Sequence, residues 1–139
     1  MDLSYLVTPF FAWLLSGCAK FAINTYKEKR FAFDLIGYGG LPSNHSSIVS
    51  SAAAIIFFNQ GLQEPAFVVA LALTFIVILD ASSLRRQVGR HAKAINGLKE
   101  RDSIKSLRER MGHSRIEIVA GVLTGIFSAA IVHYFFSSL

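Results

Sequence analysis

The stretch Gly112-His113-Ser114-Arg115-Ile116-Glu117, followed by apolar residues as far as Phe136, decides the architecture of this chain. Ile116 to Phe136 is about 21 residues with no Lys, Arg, Asp or Glu after Glu117, long enough to cross a bilayer core of roughly 30 Å. Three more apolar runs lie upstream: Ala66 to Leu79, Ser46 to Phe58, and Leu3 to Ile23. The one nearest the N-terminus matches the last in length. The inner two are about 14 and 13 residues, a length that also suits a buried or re-entrant helix. We read all four as membrane helices, the inner pair short or extended by polar ends. With 53% hydrophobic and 17% charged residues in a chain of 139, the expectation is an all-α integral membrane helical bundle. It has about four membrane helices plus interfacial amphipathic helices, in one domain over residues 1–139.

Charge placement orients the bundle. All 14 Lys and Arg lie either in Lys20 to Arg30 or in Arg85 to Arg115. Alternating spans put both basic segments on one face, and a re-entrant inner hairpin would do the same. The positive-inside rule makes that face cytoplasmic, in a bacterial inner membrane. The chain's net charge of +5, with every Lys and Arg on that side, suits anionic lipid headgroups. Nothing in the pattern points to nucleic acid. Leu15-Ser16-Gly17-Cys18 resembles a lipoprotein cleavage box, but no Lys or Arg precedes Lys20 as a signal peptide requires, so the first helix is expected to be retained. The single cysteine excludes an intramolecular disulfide and offers no zinc cluster.

Between the spans, Phe31 to Gly37 reads as a short amphipathic connector, and Gly37, Gly39 and Gly40 loosen the backbone before Pro42. Ser43 or Asn44 is the expected N-cap of the second helix. The early residues of that helix (Ser46, Ser47, Ser50, Ser51) are small enough for close helix packing, and their face is available to a second copy of the chain. Leu84, Val88, Ala92 and Ile95 repeat at helical spacing, predicting an amphipathic helix at the interface. Ile104, Leu107 and Met111 repeat it more weakly until Gly112 breaks it.

His113 and Glu117, four residues apart on a helix, share a face. The carboxylate can accept a hydrogen bond from one ring nitrogen and leave the other free as a nucleophile; the alternative is a structural pair that neutralises a helix start. His45 stands in the first turn of a helix, where free N–H groups and the helix dipole favour an anion. Arg85 and Arg86, just after Asp80, carry the planar fork that suits phosphate oxygens. Lys20, expected in the last turn of the first helix, either snorkels to the interface or reaches the same anion. His133 falls at the opposite end. No acid cluster suited to a divalent metal is visible, and no cofactor is implied.

At Gly39-Gly40-Leu41-Pro42-Ser43-Asn44-His45, Asp80 to Arg86, and Gly112-His113 through Glu117, the chain resembles a divergent branch of the type 2 phosphatidic acid phosphatase superfamily, whose relatives include acid phosphatases and vanadium-dependent haloperoxidases. The resemblance implies that His113 is the nucleophile that becomes phosphorylated, with Glu117 where the superfamily has aspartate. His45 becomes the general acid, with Asn44 where the Pro-Ser-Gly-His motif has glycine. Lys20, Gly40, Ser43, Asn44, Asp80, Arg85 and Arg86 become the phosphate-binding set. The chain departs from the pattern in two places. No Arg-Pro pair follows Lys20, and no Ser-Arg pair precedes His113, where Arg108 and Arg110 are approximate substitutes.

The expected function is a metal-independent phosphatase acting on a lipid phosphate monoester or diphosphate, with the lipid phosphate and membrane lipids as partners and homo-oligomerisation open. The alternative from another class is a lipid-phosphate-binding or membrane assembly protein without turnover. A vanadate-dependent haloperoxidase is a weaker third reading, since a small lipid-embedded chain with a basic mouth suits it poorly.

Overall fold

The computed structural model describes residues 3–31, 40–98 and 106–138. Gly37, Gly39, the Phe31–Gly37 connector beyond its first residue, and Ile104 lie outside the described residues. Among the described residues five α-helices follow in order: α1 (Ser4–Glu28), α2 (Asn44–Gln60), α3 (Pro65–Leu79), α4 (Arg85–Gly97) and α5 (Arg115–Ser137). Among the described residues, three helices are long and apolar enough to cross a membrane, namely Ser4–Glu28, Arg115–Ser137 and the continuous Pro65–Gly97. The 17 residues of α2 span only about 25 Å. This helix sits at the centre of the bundle, against α1, α3 and α5.

The bundle is inside-out relative to a soluble protein. Its interior holds Ser4, Thr8, Ser16, Ser46, Ser47, Ser51 and Ser128, whereas Phe10, Trp13, Val69, Phe75, Leu123 and Phe127 point outward. A contiguous apolar exterior of this kind would aggregate in water. In lipid it costs nothing, and close contact between small residues is what holds helices together. The buried hydroxyls are satisfied locally: Thr8 donates to Ser4 O and Ser50 to Ser46 O, both at 2.6 Å. Thr74, the buried residue of α3, also bonds Val49 O on α2 at 3.0 Å. The serine face read in the sequence as open to a second copy is therefore covered from within the same chain.

The α2–α5 seam is the tightest. A Cβ on Gly121 would lie 2.9 Å from the Ser46 side chain and press on the Ser43 carbonyl, and one on Gly125 would stand 3.0 Å from Ser51 N. Across the seam, Ser47 Oγ donates to Gly121 O at 3.0 Å and Ser50 Oγ to Val122 O at 3.3 Å. Gly-x-x-x-Gly in an apolar helix signals such an approach.

The Leu84-to-Ile95 stretch forms the amphipathic helix α4, which continues from α3 through a π-helical turn over Asp80–Leu84, with Arg85 N–H donating to Asp80 O. One expectation is corrected here. The Leu107-to-Met111 segment is not helical and lies along α4. The Asn96 amide clamps the Leu107 backbone from both sides, accepting from its N–H at 2.9 Å and donating to its O at 2.8 Å. Gly89 lets the Glu109 carbonyl lie against α4. A side-chain amide that copies a backbone pairing outcompetes the weak helical pattern.

The helices alternate in direction, so the start of α1 and the ends of α2 and α5 meet. There Asn59 Nδ2 donates to Ser4 Oγ at 3.0 Å, and Asn59 Oδ1 lies 2.6 Å from His133 Nδ1. The N-termini of α2 and α5 and the π-helical turn gather at the other end.

Candidate active site

Two helix starts build this site. Ser43 caps α2, its Oγ accepting from Ser46 N–H at 3.4 Å, which puts Asn44 and His45 in the first turn. Ser114 caps α5 in a complete capping box: Glu117 N–H donates to Ser114 Oγ at 3.3 Å, and Ser114 N–H donates to Glu117 Oε2 at 3.0 Å. Ser43 N–H donates to Glu117 O at 2.9 Å, tying one helix start to the other. Both positive dipole ends thus face one point.

The imidazoles of His45 and His113 meet there, with ring centroids 5.7 Å apart. His113 is 5% exposed, and its Nδ1 lies 3.0 Å from Glu117 Oε2. With the proton held on Nδ1 by the carboxylate, the lone pair belongs to Nε2. Glu117 therefore serves two partners, capping α5 and orienting His113. The signal for the first task, Ser-x-x-Glu ahead of an apolar run, stands in the sequence, although only the pairing with His113 was read from it.

The backbone of His113 is held just as firmly. Its N–H donates to Ala81 O in the π-helical turn at 2.9 Å, and its carbonyl accepts from Arg86 Nη2 at 3.1 Å. Gly112 turns with φ 86°, and a Cβ there would stand 2.8 Å from Arg86 Cγ, so only glycine fits both the conformation and the space.

The phosphate-binding candidates divide. Lys20 is 4% exposed, two turns inside α1 rather than in its last turn, so it does not snorkel. Its charge and that of Arg85 act on both imidazoles. Arg85 Nε donates to Asp80 Oδ2 at 3.2 Å, which leaves its Nη groups without an acceptor among the described residues. Asp80 is placed to aim Arg85 rather than to meet an anion, which it would repel. Arg86 faces away from the imidazoles, toward a groove between the π-helical turn, α4 and α5. Ser43 is fully buried, its oxygen engaged as a cap beneath the site. Gly40 lies in the loop beside Asn24. Asn44 Oδ1 and His45 Nδ1 are buried without a hydrogen-bond partner, an arrangement that native interiors avoid unless a ligand completes it. Arg108 and Arg110 lie exposed on the segment along α4, with Arg108 Nε donating to Arg110 O at 3.3 Å.

Burial holds the His113 imidazole below the ordinary histidine value; the Glu117 hydrogen bond and charge oppose the shift, and Lys20 and Arg85 reinforce it. The neutral form therefore persists to lower pH than in a free histidine. Any reaction that needs the neutral imidazole is expected to be lost only as pH falls through that lowered value. Glu117→Gln keeps the capping box, since glutamine serves at that position, but removes the charge that raises His113. Its acid limb is expected to move further down in pH, with turnover reduced roughly 100-fold as the tautomer is released. A pH–rate profile of both proteins measures this; an unmoved limb would assign Glu117 to capping alone.

Residues 1–128 match the family model described as "Divergent PAP2 family". A 149-residue alignment that covers 94% of this chain and 94% of the relative pairs it at 29% identity with the "Uncharacterized membrane protein YuiD" of Bacillus subtilis (strain 168). No solved structure matches the chain. With its family match spanning both helix starts and the Asp80–Arg86 turn, this membrane protein belongs to the divergent PAP2 family.

Proposed function

We propose that the chain is a phosphatase for lipid phosphate monoesters or diphosphates, working through a phosphohistidine at the cytoplasmic face of a bacterial inner membrane. The observation that carries this reading is the meeting of His45 and His113 beside Arg85 and the buried Lys20, with Glu117 bonded to His113 Nδ1. His113 Nε2 attacks phosphorus, and an N–P bond forms as the P–O bond to the lipid breaks. His45 gives its proton to the departing oxygen, then takes one from the water that attacks phosphorus. The N–P bond breaks and inorganic phosphate leaves. A phosphate dianion beside His45 favours the protonated form that the first step needs. Lys20, Arg85 and the two helix starts neutralise charge on the transferring group. No step of this scheme calls on a metal ion, so the reaction is expected to be insensitive to chelators.

The test is phosphate release by the purified protein across a set of lipid phosphates, with EDTA present. Release from none of them would overturn the reading. Lys20→Met is expected to raise KM roughly 10- to 100-fold, the value of a charge-assisted contact, without loss of thermal stability, because it replaces a buried charge with an apolar chain of similar volume. An unchanged KM would remove Lys20 from the phosphate site.

A second reading, a lipid-phosphate-binding protein without turnover, is favoured by the exposed placement of Arg108 and Arg110, which leaves neither of them in the site. Lipid phosphate binding that is equal in wild type and His113→Gln, with no release from either, supports it.

A further inference from the structure

Beside the histidine pair, on the other side of the π-helical turn, lies a groove of about 550 Å³ between the end of α3, α4 and the start of α5. Consecutive residues on a helix point about 100° apart, so Arg85 faces the imidazoles while Arg86 faces this groove. Arg86 shares its lining with Arg90 and Arg115. No carboxylate lines it, and none of the three arginines has an ion-pair partner among the described residues. Arg86 and Arg90 stand four apart on α4, a repulsive pairing. Arg115 stands in the first turn of α5, where the helix dipole disfavours a cation. Three positive charges that repel one another, at a positive helix end, are a standing demand for an anion. Arg86 uses one nitrogen on His113 O and Arg90 Nη1 donates to Gln87 Oε1 at 3.4 Å. Their remaining N–H groups and the whole of Arg115 are free to donate.

The floor of the groove identifies the kind of anion. Ile78, Ile118 and Val119 line it; they belong to the ends of the spanning helices, and Val119 is 57% exposed. Guanidinium groups at the rim and aliphatic side chains leading into the bilayer match one molecule with a charged head and an acyl chain. We propose that this groove is a binding site for an anionic phospholipid, separate from the histidine site, with Arg86, Arg90 and Arg115 holding the headgroup phosphate.

The test is native mass spectrometry of the full chain in detergent, titrated with dioleoylphosphatidylglycerol or dioleoylphosphatidylcholine. Phosphatidylglycerol is expected to bind more tightly, and the double variant Arg90→Gln/Arg115→Gln to lose about tenfold or more of that affinity, near-surface arginines being worth about a factor of five each. Arg108→Gln/Arg110→Gln removes the same charge elsewhere, and Arg85→Gln faces the histidines; both are expected to bind phosphatidylglycerol as wild type does. Equal losses in Arg108→Gln/Arg110→Gln would reduce the effect to diffuse surface charge. A loss in Arg85→Gln would place the lipid in the histidine site. Displacement by millimolar inorganic phosphate would show that the groove reads phosphate without its lipid. Each of these overturns the proposal. Should the double variant fail to fold, the single variants, each expected to lose about fivefold, carry the same test, and unchanged affinity in both refutes it.

Discussion

His113→Gln is expected to bring phosphate release to background, a loss of roughly 10⁴-fold or more, on the scale seen when a covalent nucleophile is removed. Glutamine cannot form the N–P bond, yet its amide can still donate to Glu117, so the capping box at Ser114 and the helix start it stabilises are retained. An unchanged melting temperature in detergent separates chemistry from folding. The companion variant His45→Gln is expected to lose about 10²- to 10⁴-fold with a lipid alcohol as leaving group, the usual range for general acid catalysis. It should lose far less with p-nitrophenyl phosphate, whose phenolate departs without a proton. Trapping on wild type of an acid-labile, alkali-stable phosphoprotein that His113→Gln lacks would give the covalent step its direct evidence. Turnover that persists in His113→Gln would end the phosphohistidine mechanism.

Gly125→Leu is expected to cost about 3 kcal/mol or more, the upper range for overpacking a filled interior, and to lower the melting temperature by roughly 10 °C. The reason is the seam between α2 and α5. A side chain on Gly125 meets Ser47 O, Ser50 Oγ and Ser51 N, and two of these are backbone atoms of a helix that cannot yield locally. The helices must part, and the Ser47–Gly121 and Ser50–Val122 hydrogen bonds part with them. Since the same seam brings His45 to His113, phosphate release should fall along with stability. Gly17→Ala in α1 is the control: nothing lies within 4 Å of a Cβ there, and replacing a mid-helix glycine stabilises by about 0.5–1 kcal/mol. Thermal melts of the two variants in one detergent decide the matter. Equal melting temperatures would mean that the seam does not hold the bundle together.

The histidine site was partly legible in advance. Four-residue spacing puts Glu117 under His113, and a small-residue run after Pro42 announces a close-packed helix start at His45. Arg85 and Arg86 are neighbours in the chain, whereas one helical step separates them onto different sides of the turn. Adjacency in sequence is a poor guide to direction on a helix. The apolar run stops at Ile23, which suggests a helix end close to Lys20. The helix continues to Glu28 because Tyr26 and its polar neighbours are compatible with helix outside the bilayer, and Lys20 is left deep enough to be buried. The Gly121 and Gly125 pair is a packing signal that the longer hydrophobic pattern around it obscures.

Length, hydropathy and the confinement of Lys and Arg to two segments were sufficient to determine that the chain is a helical membrane bundle with a basic end, because crossing a bilayer constrains each helix almost independently of the others. Tertiary structure alone decided which surfaces meet. Lipid removes the hydrophobic drive that would sort faces in water, so the inward side is chosen by how closely Gly121 and Gly125 let α5 approach the serines of α2. That approach, which no single segment encodes, brings two imidazoles remote in the chain within 5.7 Å of each other.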